Sequence, residues 1–310
     1  MASSLSNVTF RQLRALKCVA ETASATDAAK RLGLTQPAVT LQIKNLEAQA
    51  GLPLFQRTGR GLVLTEAGET LLRLSERVEI AFADSALTLD TMKGLTGGRV
   101  SIGVVSTAKY FAPFAIAAYS ERHPDIDVRL MIGNRGEIIQ ALADFTLDVA
   151  IIGRPPPELD LECVLIGDHP HVIIAPTNHP LAHRSDLTIA DLREEKFLNR
   201  EPGSGTRALM ERLFAEAGVV PRIGMEIASN ETIKQAVMAG LGIAFLSAHT
   251  VEHELAERRL VSLAVEGLPL LRQWFLVRRC EKALLPAARA LVDFLSREAC
   301  TFLPSRPKPP

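Results

Sequence analysis

The chain has 310 residues, 47% of them hydrophobic and 23% charged, with aromatics at only 5%. That length suits two or three units with cores of Leu, Ile, Val and Ala, and no apolar run approaches the ~20 residues of a membrane span. The opening MASSLSNVTFRQLR lacks the basic start and apolar core of a signal peptide, which points to the cytoplasm. The net charge of zero is unevenly spread: residues 1–66 hold eight bases against four acids, leaving a basic front and an acidic remainder. Such a division suits a nucleic-acid contact confined to the front.

Thr9-Phe-Arg-Gln12 has capping-box spacing and predicts a helix with Leu13, Leu16, Val19 and Ala20 on one face. Ser24 caps a short helix carrying Ala28, Ala29 and Leu32, and Gly33 breaks it. Thr35 caps a third helix with Pro37 in its first turn, where a missing N–H costs nothing. Val39, Ile43, Leu46 and Ala50 give that helix a buried stripe, while Gln36, Thr40 and Lys44 project together from the other side. Residues 54–57 and 62–64 form a hairpin around Gly59-Arg60-Gly61. This is the pattern of a winged helix-turn-helix. Gln can pair with adenine, Thr can touch a base edge or a thymine methyl, and Lys can reach phosphate or guanine. Arg57 and Arg60 on the wing suit backbone or minor-groove contact. The plainer alternatives are a three-helix protein-interaction module and ordinary solvated arginines.

Thr65 caps a long helix running to about Lys93. Its Leu71, Leu74, Val78, Ala81, Ser85, Thr88 and Met92 alternate at intervals of three and four, a heptad-like seam for a dimer; packing on its own domain is the alternative. Leu95 to Gly98 reads as a hinge. Strand, helix, strand, helix, strand follow over 100–105, 110–122, 126–132, 137–144 and 149–152, which predicts a parallel sheet. A strand pair at 163–166 and 172–175 leads into a second α/β unit with helices at 209–217 and 231–239, extended or strand segments at 224–228, 242–246 and 273–277, and a final helix at 284–299. The resulting division is a reader at 1–66, a linker helix and hinge at 67–98, and a regulatory region at 99–302. Within the last, subdomain I takes 99–165 and 266–302 and subdomain II takes 166–265; a disordered, proline-rich tail covers 303–310. The four cysteines are far apart with no metal spacing, which predicts reduced, partly buried thiols and no metal site.

Ser106 and Thr107 follow the first strand of the sheet and precede a helix, where ligands bind in open parallel sheets and helix N-termini favour anions. Lys109 lies one turn on. Arg135 follows the second strand and Arg154 the third. In the second unit Glu201-Pro-Gly-Ser204-Gly-Thr206-Arg207 is a loop rich in N–H groups and hydroxyls, and Asn230, Glu231 and Thr232 open another helix with Lys234 close behind. Cations around helix N-termini suit a multiply phosphorylated anion, for which a guanidinium fork is well matched. Pairing of Arg135 or Arg154 with Glu137 or Glu158 is the competing reading, and His169 and His171, flanking Pro170, could approach the cleft but read more readily as loop-surface residues than as ligands or pH sensors. Neither a GxxxxGK[ST] phosphate loop nor a GxSxG elbow is present, so a hydrolase using Ser106 or Ser204 has little support. A solute-binding transport protein would need a signal peptide and no DNA reader.

The string LTQPAVTLQIKNLEAQAGLPLFQR, followed by LTEAG and a long helix, resembles the N-terminal domain of LysR-type transcriptional regulators. The resemblance implies a dimer, or dimer of dimers, on promoter DNA, an effector cleft between two α/β subdomains of the periplasmic-binding-protein type, recruitment of RNA polymerase, and no enzymatic activity. Leu41 departs from the family, where an arginine is common. VSTAKYFAP, GRPPPELD, REPGSGTR and SNETIKQAVMAG are similar to the CbbR branch, regulators of Calvin-cycle (RuBisCO) operons. That branch implies activation of carbon-fixation genes and an effector such as ribulose 1,5-bisphosphate, phosphoenolpyruvate or NADPH. Regulation of another operon, through a different carboxylate or phosphate, is the alternative.

Overall fold

Each of the first three helices begins where its sequence offers a side-chain cap. In the computed structural model, which describes residues 5–59, 61–92 and 97–304, the chain divides into two units, 1–93 and 94–310. Helix α1 (Phe10–Thr22) carries the full Thr9–Gln12 capping box, α2 (Ala25–Leu32) is capped by Ser24, and α3 (Gln36–Ala50) by Thr35. Gly33 ends α2 at φ +66, the left-handed conformation that glycine adopts without a Cβ penalty, and so sets the tight turn into α3. Leu16, Val19, Ala28, Val39 and Leu46 are fully buried between the three helices. Strands β1 (Phe55–Thr58) and β2 (Gly61–Leu64) form the antiparallel wing.

The Thr65 hydroxyl accepts the Gly68 N–H at 3.1 Å and starts α4 (Glu66–Met92). Leu71 and Leu74 pack with Leu16, Leu46 and Leu54 in the reader's own core, so the expected dimer seam loses its first two positions to packing within the chain. Ala81 and Ser85 are exposed, and beside them stand the large apolar Phe82 and Leu89. The side chains of Thr88 and Met92 lie outside the described residues, as do Leu95 and Thr96 of the expected hinge. Among the described residues no helix is long and apolar enough to cross a membrane.

The second unit opens with β3 (Gly98–Val105), α5 (Ala112–Arg122), β4 (Ile126–Gly133), α6 (Arg135–Ala143) and β5 (Val149–Ile152). Strand β3 lies between β4 and β5, parallel to both. Next come β6 (Leu161–Pro176), β7 (Lys196–Asn199), α7 (Gly205–Glu216), β8 (Arg222–Glu226), α8 (Asn230–Met238), β9 (Ala244–Ser247), α9 (Glu252–Ala256), β10 (Leu260–Ser262), β11 (Leu270–Arg279) and α10 (Pro286–Glu298). Strands β6 and β11 pair antiparallel along their length. Strand β11 also joins β5, whereas β6 also joins β9 and β10. The two strands therefore belong to both lobes of the unit. One lobe is built on β3, β4 and β5 with α5, α6 and α10, the other around α7, α8 and the short strands.

Three expectations need correction here. The strand pair at 163–166 and 172–175 is one 16-residue strand, so the subdomain boundary expected at 165–166 falls inside it. Gly167 and Pro170 looked like breakers. Yet Gly167 sits opposite Trp274 beside a register shift, and Pro170 comes just before β9 begins to pair at His171, where one edge of β6 is still free and proline is tolerated. The tail does not become loose at 303: Leu303 packs on the first lobe's core, and only from residue 305 does the tail lie outside the described residues. Of the cysteines only Cys18 is buried; Cys163, Cys280 and Cys300 are exposed.

The LTEAG motif has a packing reason. A Cβ on Gly68 would come within 2.2 Å of the Leu54 carbonyl oxygen. Gly68→Ala is expected to push α4 off the wing and cost about 1–3 kcal/mol, read as an earlier first transition in urea by far-UV circular dichroism.

Candidate functional site

On the reader, Thr35, Gln36, Pro37, Lys44 and Arg57 are exposed and Thr40 is half-buried. Gln36 Nε2 donates to Thr40 Oγ1 at 3.1 Å, so the two predicted reading residues present a joined polar face along α3. Thr35 is held by capping, its oxygen accepting the Ala38 N–H at 3.4 Å. Leu41 is 56% exposed on the same helix, an apolar side chain with no core to enter. Arg60 lies outside the described residues.

In the second unit the C-terminal ends of β3, β4 and β5 meet α7 and its preceding loop around a cavity of about 650 Å³. Its walls include the predicted Ser106, Thr107, Arg135, Arg154, Ser204, Thr206 and Arg207. Asn134 caps α6, its Oδ1 accepting the Glu137 N–H at 3.0 Å while the Glu137 carboxylate takes the Asn134 N–H at 2.7 Å. Glu137 is thus used within its own helix turn rather than on an arginine. Ser204 caps α7 with its hydroxyl alone, which accepts the Arg207 N–H, and the two capped turns meet where Gly136 N donates to the Gly203 carbonyl at 3.2 Å.

The remaining predicted residues do not line the cavity. Glu201 is engaged by Arg200, which sequence reading passed over. The Arg200 guanidinium, 2% exposed, forks onto Glu201 at 2.7 and 2.8 Å, donates to Asn230 Oδ1 and reaches Ser106 Oγ at 3.1 Å. Asn230 also donates to the Ser106 carbonyl at 3.4 Å. Glu231 accepts from the Tyr110 hydroxyl and pairs with Lys234 at 3.0 Å, while Lys234 also binds Glu254 at 2.9 Å. Lys109 stands over the Tyr110 ring, and Thr232 is exposed, its N–H taken by the Ser229 cap. These groups bridge the two lobes beside the cavity instead of facing into it. Arg207 lines the wall, but its charge is met by Glu211 and Glu226, which hold its pKa up.

Two further arginines, Arg212 and Arg272, line the cavity, as do His169 and His171. Among the described residues Arg154 and Arg272 form no salt bridge to a carboxylate. Burial first, and then Arg154, lower the Arg135 pKa; burial followed by Arg212 and Arg154 lowers that of Arg272. Cations that depress one another's ionisation across a shared space favour an anion between them. Alternation on β11 offered a sign of Arg272, but only the register, which sets it opposite His169, places it in the cavity. His169 and His171, expected on a loop surface, are buried in β6 because the strand continues through Pro170.

Burial brings the His171 pKa down to about 3 and that of His249, packed nearby, to about 4. Both lie below the unfolded value near 6.5, so these neutral rings add stability above pH 6.5 that is lost as pH falls toward the folded values, by about 1.4 kcal/mol per pH unit for a fully buried ring. The melting temperature followed through Trp274, the one tryptophan, is expected to fall steadily below pH 6.5, with a shallower slope in His171→Phe.

Residues 10–69 match the bacterial regulatory helix-turn-helix proteins of the lysR family, and residues 93–300 match the LysR substrate binding domain. A transcriptional regulator CbbR from Xanthobacter flavus is 54% identical over 96% of this chain and 90% of its own length. A RuBisCO operon transcriptional regulator from Allochromatium vinosum is 44% identical over 94% and 97%. Among solved structures, the Synechocystis PCC6803 CcmR regulatory domain in complex with 2-PG (2-phosphoglycolate) is similar at a TM-score of 0.63 and 36% identity, covering 65% of this chain and 97% of that one. Full-length CbnR with its target DNA gives 0.67 and 25% over 93% and 99%.

Proposed function

Because this chain belongs to the LysR family of transcriptional regulators, we propose that it reads the promoter DNA of Calvin-cycle (RuBisCO) genes with α3 and its wing, and that an anionic phosphorylated metabolite in the cavity sets when it activates them. The genes are named by the relatives that match nearly the whole chain. The ligand class rests on one observation above the others, the convergence of Arg135, Arg154, Arg212 and Arg272 on a single cavity. A sugar bisphosphate, phosphoenolpyruvate and NADPH all carry the charge such a site holds, and the 2-PG bound by the CcmR regulatory domain has the same chemistry.

In this reading Gln36, Thr40 and Lys44 contact base edges and phosphate, and Thr35, Pro37, Arg57 and Arg60 position the helix and wing. Leu41 can offer a base pair only apolar contact, for which the major groove provides the thymine methyl. Two copies associate through the exposed length of α4, and pairs of dimers through the regulatory units. The metabolite changes closure of the two lobes, whose resting contacts are Arg200–Ser106, Asn230–Ser106 and Tyr110–Glu231. It does so only by binding one arrangement better; a tenfold to hundredfold preference corresponds to about 1.4–2.7 kcal/mol. The altered DNA complex then recruits RNA polymerase.

Gln36→Ala is expected to lose preference for the operator over random DNA while the assembly state stays unchanged; footprints on the gene's own promoter equal to wild type would remove α3 from the reading role. Arg154→Met is expected to weaken phosphorylated effectors about tenfold to a hundredfold by calorimetry while DNA affinity without effector is kept. Unaltered effector affinity would place the ligand elsewhere.

A further inference from the structure

The cavity floor differs in kind from its arginine walls. His169 and His171 stand two residues apart on β6, so their rings rise from one face of the strand. They are 4% and 3% exposed, and both line the cavity. His171 Nδ1 lies 3.1 Å from the His169 carbonyl oxygen. A carbonyl only accepts, so this nitrogen carries the proton and Nε2 keeps a lone pair. His169 has no partner at either ring nitrogen among the described residues. Its ring is stacked on Trp274 with centroids 3.7 Å apart and planes 16° from parallel, and it touches His171 at 4.2 Å, which fixes its orientation. The Trp274 N–H is already spent on His249 Nδ1 at 3.2 Å. Beside His169 Nδ1 lies Gly153, where even a Cβ would stand only 3.1 Å from that nitrogen.

We infer that His169 and His171 are specificity-determining contacts that read the hydroxyl groups of the effector while the arginines hold its phosphates. This rests on the cavity being the effector site. An imidazole locked by stacking and left without a partner is unfavourable unless a ligand group satisfies it. The groups packed around it decide which ligand group fits. His171 and His249 lie beside His169, Arg272 stands opposite it on β11, Arg154 and Arg212 stand beyond, and Asp168 adjoins it in sequence. Burial and the neighbouring cations keep the ring neutral. A neutral imidazole offers one N–H and one lone pair, and a hydroxyl, which both donates and accepts, can satisfy either nitrogen. A fully ionised phosphate or carboxylate oxygen only accepts and would leave the lone pairs unmet. The floor therefore selects a polyhydroxylated phosphate over an equally charged molecule without hydroxyls.

The test compares ribulose 1,5-bisphosphate with pentane-1,5-diol bisphosphate, which has the same phosphates and no hydroxyls, by calorimetry on the full-length protein at pH 7.5. Wild type is expected to favour the sugar at least tenfold. His169→Phe, which keeps the stack on Trp274 and removes both nitrogens, is expected to bring that preference below threefold while leaving the affinity for the diol bisphosphate within twofold. An equal affinity of wild type for the two compounds, or an undiminished preference in His169→Phe, overturns the inference while leaving the anion site standing. If wild type binds neither compound, the inference falls while the anion site stays open to phosphoenolpyruvate or NADPH; if Arg154→Met binds both as wild type does, the effector-site reading falls and the inference with it. Should the variant fail to fold, nitrogen-15 spectra of the histidine rings in wild type decide: shifts of the His169 nitrogens with the sugar and not with the diol bisphosphate support the assignment, and equal responses to both overturn it.

Discussion

A guanidinium keeps its proton at any pH a protein meets, so one that is taken out of water has to be matched inside the fold. Arg200 is that group here. Its fork faces Glu201, and its remaining donors reach Asn230 at the start of α8 and Ser106 at the end of β3. Three chain segments from two lobes are drawn to one charge. The loop between β7 and α7 then has its backbone fixed next to α6, and the cavity wall takes its form. Lysine could not do this, because an ammonium lacks the planar fork that engages a carboxylate side-on while reaching two further acceptors.

The same principle sorts the cations around the cleft into two populations. Arg200, Arg207 and Lys234 each have carboxylates within reach and serve the architecture. Arg135, Arg154 and Arg272 face the cavity and repel one another. Sequence position does not separate the two kinds, since Arg207 and Lys234 sit beside helix N-termini as invitingly as Arg135 does. What separates them is whether a carboxylate stands within pairing distance in the fold.

This explains which parts were legible in the sequence. Caps are local, and Thr9, Ser24, Thr35 and Thr65 could be identified from three or four adjacent residues. The stripe of Val39 and Leu46 and the parallel order around β3 follow from periodicity and alternation. Strand β6 did not, because Gly167 and Pro170 break a strand on local grounds; pairing with β11 carries the strand through both, and the edge left free until β9 begins at His171 leaves room for the proline. His169, His171 and Arg272 were misplaced or missed for the same reason: their meeting depends on register across strands far apart in sequence. Arg200 did leave a sign, an Arg-Glu pair one residue after the apolar Phe197-Leu198, where a charge cannot easily reach solvent.

The order of the elements along the chain has a consequence for how the protein is made. The first lobe needs β11 beside β5 and α10 against β3 and α5, and both come from the last part of the sequence. The reader, by contrast, has its whole core by the first turns of α4. Domains emerging from the ribosome fold as units from the N-terminus. Each newly made molecule thus completes its helix-turn-helix while most of the chain is still unsynthesised, and the unit that holds the cavity is finished only with the final helix. During that interval the incomplete sheet presents an uncovered β5 edge and the apolar surface meant for α10, so the period of synthesis is when this chain most needs shielding from its neighbours.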